Sequence, residues 1–397
     1  MRGQFYSLTA ILIAIPIMLF VSFYMLSQAR GPDIYERIVS DQIHQLESSL
    51  GRDFGKALVT SCKRSLIAAG DKVILNGTPL DNSVLRLKEL MDNGTLYGEE
   101  VILMFNNTLG NWTDRIYNIP INFRVNLGYS SLDVSSYDYR NVKASAKFNI
   151  SVADVLNIAN IEKVNVNYEM QVSIKDMEDP LFPLKTNGVL TRVIRFSPFG
   201  YRAKKIVIGS SNSKGSCSGD ITFEKSECNT AKILVTYNIT GVNFGCYGGV
   251  IIEDSVDLSN DTNCYVTGNG SSVVLTNTTI TETGYQRVYI DNETKSVWHL
   301  PIEFELENGY YFQGEGPNYL KRLEGSLESS QNGLESLINA PELESVGIPI
   351  KENQVSLDYL YFSEQDYIGY RVRGLPEWFK INQSIANRYN LNELFEG

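Results

Sequence analysis

Phe5 to Leu26 is a run of 22 residues without a charged side chain, and nothing else in the chain so limits what it can become. As a helix rising about 1.5 Å per residue it covers roughly 33 Å, enough to cross a hydrocarbon core of about 30 Å. Pro16 should kink that helix rather than abolish it. A secretory leader has a shorter apolar stretch, about 7–15 residues, so the run reads as a retained single-pass anchor. Ser27-Gln28-Ala29 offers the alternative, a small-x-small site at which a leader would be removed. Membrane lipid is therefore the expected partner of residues 5–26, with the bulk of the chain extracytoplasmic at the cell membrane.

Charge alone leaves the orientation open, because Arg2 precedes the run and Arg30 follows it. The Asn-X-Ser/Thr triplets decide it. They stand at Asn76, Asn93, Asn106, Asn111, Asn149, Asn238, Asn260, Asn269, Asn277, Asn292 and Asn382, all beyond the run. Composition alone would give roughly five, about half of what is present. Occupied N-glycosylation acceptors on an exported domain explain the excess; an Asn- and Thr-rich β-protein is the plainer alternative.

The cysteines fit the same compartment. Cys217, Cys228, Cys246 and Cys264 cluster without any C-x-x-C, so neither a zinc ribbon nor a thioredoxin motif is indicated. Two disulfides by one of three connectivities are expected, Cys217–Cys228 with Cys246–Cys264 being the most local; buried free thiols are the alternative. Each bridge would contribute about 2–4 kcal/mol. Cys62, on the apolar side of an expected helix, reads as core.

The opening Met1-Arg2-Gly3-Gln4, running straight into the apolar helix, resembles the class III signal of type IV pilin-like surface proteins of archaea. The resemblance covers about the first 28 residues. It implies cleavage between Gly3 and Gln4, with the helix kept on the mature chain, and it admits other anchored or pilus-type subunits as partners. Many polymerising pilins carry glutamate at the fifth mature position, where Leu8 stands here. That departure, and the size of the exported part, favour a minor or stand-alone component. An ordinary charged leader start is the rival reading of Arg2-Gly3.

Beyond the run the chain reads as α+β: an N-terminal transmembrane helix, an amphipathic stalk, and an antiparallel β-rich ectodomain closing on a mixed segment. The expected divisions are 1–28 anchor, 29–118 helical stalk region, 119–199 antiparallel β domain, 200–309 cysteine- and acceptor-rich β region, and 310–397 helix-strand-helix. Gly31-Pro32 should break the membrane helix. Ile34, Ile38, Leu46, Leu50, Phe54, Leu58, Cys62 and Leu66 then recur mostly every four residues, widened by Val39, Ile43, Ala57 and Ala69. Gly51, Gly55 and Gly70 weaken that helix locally. A second helix is expected over Asn82–Met91.

From Ile121 the period becomes two. Val164, Val166, Tyr168, Met170, Val172 and Ile174 alternate with polar residues, as do Ile121–Leu127 and Val142–Val152. Leu190/Ile194/Phe196 are expected to supply a fourth strand. Residues 200–309 suggest a small β-sandwich or an insertion, with short strands that include Ile302/Phe304/Leu306. After Pro317 the leucines at 320, 323, 327, 334 and 337 suggest a helix, Val355/Leu357/Tyr359/Tyr361 a strand, and the stretch to Leu394 a closing helix.

Net charge is −11 and no Lys/Arg run exceeds two, so a nucleic-acid surface is excluded. Two histidines, His44 and His299, argue against His-based metal or nucleophilic sites. No catalytic, cofactor or metal constellation emerges: Lys214-Gly215 inverts the phosphate-loop order. Asp257-x-Ser259-x-Asp261-x-Asn263 lacks the calcium loop's glycine and glutamate. His299 reads as a strand-edge residue and His44–Glu47 as a surface pair. Tyr359–Phe362 and Tyr310–Phe312 could stack on sugars but read as core. The expectation is a structural or interaction protein and not an enzyme. An anchored adhesin or carbohydrate-binding module is the alternative, and an anchored hydrolase comes third, supported only by unpatterned acids.

Overall fold

The computed structural model describes residues 2–118, 122–156, 159–197, 201–206, 236–237, 248–252, 273–276, 285–291 and 296–397. The chain forms two compact units. The first comprises residues 1–69, 84–135 and 142–172; the second comprises 70–83, 136–141 and 173–397. The expected α+β class with antiparallel sheets is what the chain adopts.

Helix α1 runs from Arg2 to Asn76 as one element. Gly31-Pro32 does not end it, contrary to expectation: a proline removes one hydrogen bond and the turns on either side carry the helix across. Among the described residues no helix is long and apolar enough to cross a membrane, and the side chains of 2–15, 23 and 26–35 are outside the description. From Val39 on, α1 is no bare stalk. Val39, Ile43, Leu50, Phe54, Leu58, Cys62 and Leu66 are buried, whereas Ile38 is exposed and Leu46 half-buried. Helix α2 (Ser83–Asn93) follows, then the two-residue strands β1 (Thr95–Leu96) and β2 (Glu99–Glu100), a 3-10 turn at Ile102–Met104 and helix α3 (Leu109–Tyr117).

Three 14-residue strands complete the first unit: β3 (Phe123–Ser136), β4 (Asn141–Asp154) and β5 (Asn160–Ser173), in the order β3-β4-β5. The connections are too short for a crossover, so the sheet is antiparallel. The expected fourth strand is absent from it. Around Leu190–Phe196 there are only single bridges, Glu178 with Val193 and Phe196 with Tyr311. Along β4 every second residue is buried, Val142 through Val152. An aromatic cluster joins helix to sheet within this unit. Phe54 stacks on Phe148 at 4.3 Å and meets Trp112 and Tyr168 at 5.5 and 5.3 Å. The glycines that weaken α1 serve this contact: a Cβ on Gly51 would lie 2.4 Å from the Tyr168 hydroxyl.

In the second unit the main segment, from Ser173 on, begins with α4 (Leu181–Lys185). Six short strands then form one sheet: β6 (Lys204–Ile206), β7 (Thr236–Tyr237), β8 (Gly248–Ile252), β9 (Val273–Thr276), β10 (Tyr285–Asp291) and β11 (Ser296–His299). Their order is β6-β11-β10-β9-β8-β7 with every pair antiparallel, one sheet among the described residues of this region. Ile302, Phe304 and Leu306 lie in helix α5 (Pro301–Asn308), not in a strand. Pro301 at its first position and Gly309 at φ +63 after its end supply start and stop signals that outweigh two-residue alternation.

Strand β12 (Tyr311–Gly314) pairs with β13 (Gly333–Ser336), and helix α6 (Tyr319–Leu323) lies between them in sequence. The five leucines after Pro317 therefore do not share one helix face. After α7 (Ala340–Ser345), Tyr359 and Tyr361 belong to helix α8 (Asp358–Tyr361), correcting the expected strand. Strands β14 (Tyr370–Arg371) and β15 (Lys380–Ile381) pair, and α9 (Gln383–Tyr389) closes the chain, capped by Asn382, whose side chain accepts from the Ile385 amide. Trp298, Leu300, Phe312, Leu357, Phe379, Tyr389 and Leu394 share one core.

Candidate functional site

The densest group of charged side chains among the described residues is buried in the second unit. Arg322, on α6, is fully enclosed and makes four hydrogen bonds. Nη1 donates to Asp179 at 2.6 Å, Nη2 to Asp358 at 2.8 Å and to the Leu334 carbonyl at 2.5 Å, and Nε to the Pro317 carbonyl at 3.2 Å. The Tyr311 hydroxyl donates to Asp179 at 2.8 Å, and the Ser336 hydroxyl to Asp358 at 2.8 Å. Burial would lower the Arg322 pKa, but Asp179 and Asp358 more than reverse that and hold it charged. Burial raises the Asp358 carboxyl, with Arg322 opposing.

A second group adjoins it on β13. Glu335 is enclosed; it accepts from the Glu315 amide at 2.6 Å and the Tyr389 hydroxyl at 2.9 Å, and pairs with Arg388 at 2.9 Å. Arg388 also reaches the exposed Glu315 at 3.1 Å. Burial raises the Glu335 carboxyl and Arg388 opposes it. Two carboxylates bridged by an arginine suggest acid–base work only if a substrate can reach them. Here the backbone closes the approach: a Cβ on Gly314 would lie 1.9 Å from Glu335 Cδ. The Arg322 group has its lone pairs and protons satisfied internally, and Glu335 is met by three donors, while Arg388 Nε is buried without a hydrogen-bond partner among the described residues; both groups hold the fold together. They tie α6, α8, α9, β12 and β13 together.

In the first unit, α1 and β5 border an open groove of about 1050 Å³ lined by Glu47, Gly51, Arg52, Lys56, Tyr168 and Met170. A second groove of about 870 Å³ lies beside it, with Gln42, His44, Arg52 and Phe123 in its walls. Glu47 is buried and pairs with Lys163 at 2.8 Å, so the expected His44–Glu47 surface pair gives way to a helix-to-strand bridge. The grooves contain a base-and-acid rim but no cluster of metal-ligating side chains, and none occurs among the described residues.

The residues singled out in the sequence are dispersed. Gly3 and Gln4 lie in the first turn of α1. Cys217, Cys228, Cys246 and Cys264 are outside the described residues, as are Asn238, Asn260, Asn269, Asn277, Asn292 and the Lys214 and Asp257 loops. Cys62 is buried and its thiol is pushed up to about 12 by burial, as an inert core residue should be. His299 sits in β11 between β6 and β10, an interior strand rather than an edge. Tyr311, Phe312, Tyr359 and Tyr361 are buried and present no stacking face to a sugar. Asn76, Asn93 and Asn106 are exposed, and Asn111, Asn149 and Asn382 are half-buried. The buried network had no sequence signal, because Asp179, Arg322, Glu335 and Asp358 are scattered along the chain and ordinary in type. Comparison with family models, curated proteins and solved structures finds no match.

Proposed function

We propose that the chain is a membrane-anchored, glycosylated extracytoplasmic structural or interaction protein of type IV pilin-like kind, a minor or stand-alone surface component. One observation carries this reading. Pro16 to Ser22 are exposed without interruption on a continuous helix, and Ile17, Met18, Leu19, Phe20 and Val21 make up most of that stretch. Seven successive residues pass through almost two turns, so apolar side chains point in every direction. A helix apolar all round is stable only where lipid or other helices surround it. The run that contains these residues extends from Phe5 to Leu26 without a charge.

The test is alkaline extraction of membranes followed by N-terminal sequencing of the extracted chain. The expected result is retention in the membrane pellet and a chain beginning at Gln4. A start at Met1 would remove the pilin component and leave the anchor; a start at Arg30 would remove both.

An anchored ligand-binding module is the second reading, favoured by the groove along α1 and β5, which is large enough for a small ligand. Binding of the purified chain to a glycan array, lost on Arg52→Ala, would support it; silence across the array would retire it for sugars.

A further inference from the structure

Three side chains are the most exposed large hydrophobics in the described chain: Ile102 at 94%, Leu75 at 83% and Phe105 at 76%. Each lies just before an Asn-X-Thr triplet. Leu75 immediately precedes Asn76, and Phe105 immediately precedes Asn106. Ile102 stands in the same turn as Phe105, whose amide donates to the Ile102 carbonyl at 3.0 Å. Single exposed hydrophobics are ordinary, but the greatest exposure coinciding with acceptor triplets asks for a cause.

The acceptor asparagines themselves divide in two. The carboxamide oxygen of Asn111 accepts from the Thr108 hydroxyl at 2.7 Å, that of Asn149 from the Asn165 amide at 2.6 Å and that of Asn382 from the Ile385 amide at 3.0 Å, and all three residues are half-buried, with no bare large hydrophobic immediately before them. Asn76 and Asn106 are exposed, and no described residue bonds their side chains. Asn76 ends α1 before Gly77 at φ +64, and Asn106 itself adopts φ +61, a conformation asparagine tolerates better than most residues. Asn93 is also exposed, but Asp92 and Gly94 flank it and leave nothing apolar to cover.

We propose that Asn76 and Asn106 carry N-linked oligosaccharides whose apolar pyranose faces cover Leu75, Ile102 and Phe105. This rests on the extracytoplasmic reading above. A sugar ring presents a face of C–H groups, and packing it on aliphatic and aromatic side chains removes apolar surface from water. The donor is a lipid-phosphate-linked oligosaccharide. The asparagine Nδ2 bonds to the anomeric carbon, the bond from that carbon to the phosphate oxygen breaks, and the phosphate leaves with the electron pair and takes up the amide proton. Thr108 is buried and caps α3, accepting from the Asn111 amide at 3.0 Å. Transfer to Asn106 therefore precedes closure of that turn, whereas Thr78 beside Asn76 is exposed in the folded chain.

The experiment is peptide mass spectrometry of the full chain from its native membranes, paired with protease shaving of intact cells. The expected result is glycan mass on the Asn76 and Asn106 peptides. Asn76→Asp and Asn106→Asp should each lose one glycan and raise the fluorescence of a hydrophobic probe, with the circular dichroism spectrum unchanged. Bare Asn76 and Asn106 peptides from a chain that shaving cuts would overturn the assignment and leave the surface reading standing. Glycan confined to Asn111, Asn149 and Asn382 would overturn it as well. A chain that shaving spares, with no glycan anywhere, would overturn both.

Discussion

Arg322 holds two acids that the chain places 179 residues apart, and the two groups on either side of it are enclosed with it. Without that arginine the two buried carboxylates would lose their hydration with nothing in its place. Arg322→Ala should therefore destabilise the second unit by about 3–5 kcal/mol, read as a lower denaturant midpoint. Glu305 on α5 makes a different case. It is buried, and burial pushes its carboxyl up to about 8, with the Ser197 hydroxyl offsetting part of the effect. In the unfolded chain it titrates near about 4.3, so the folded state binds the proton more tightly. The stability this contributes is full below about pH 4.3 and is lost as pH rises through about 8, a fall of roughly 5 kcal/mol. Urea melts at pH 5 and pH 9 check the sign, and Glu305→Gln should remove most of the difference. None of these roles could be read from residue type, since burial and partner are properties of the folded chain.

Among the elements, those with a long uniform period were legible. The two-residue alternation of Val142–Val152 became β4, that of Val164–Val172 became β5, and the four-residue spacing from Phe54 to Leu66 became the buried face of α1. Short segments were not. Ile302/Phe304/Leu306 alternates like a strand yet is helical, because three residues satisfy either period and the proline and glycine at its ends decide. Leu334 is apolar like its helical neighbours in sequence but lies in β13, drawn there by pairing with β12. That pairing is tight enough to require glycine: a Cβ on Gly333 would lie 2.3 Å from the Gly316 carbonyl oxygen and 2.5 Å from that of Gly314. Both are backbone atoms that cannot swing aside. Gly333→Ala should cost about 1–3 kcal/mol in an equilibrium melt, whereas a Cβ at Gly128 on β3 meets nothing within 4 Å.

For the molecule as a whole, Pro16–Ser22, Tyr24 and Met25 are exposed and add nothing to the core, as the proposed anchor requires. A chain beginning at Glu36 should leave the membrane pellet for the supernatant while keeping its unfolding midpoint, since among the described residues of α1 the first buried one is Val39. A midpoint that collapsed on truncation would mean the N-terminal half of α1 packs against the fold. Sequence by itself determined the uncharged run, the acceptor triplets and the α+β class, because each is written in local composition or in a period repeated over many residues. Only tertiary structure decided which acceptors are exposed beside bare hydrophobics, which acids share one buried arginine and which short segments are helix or strand. Those outcomes depend on contacts between residues far apart in the chain, and no local pattern encodes them.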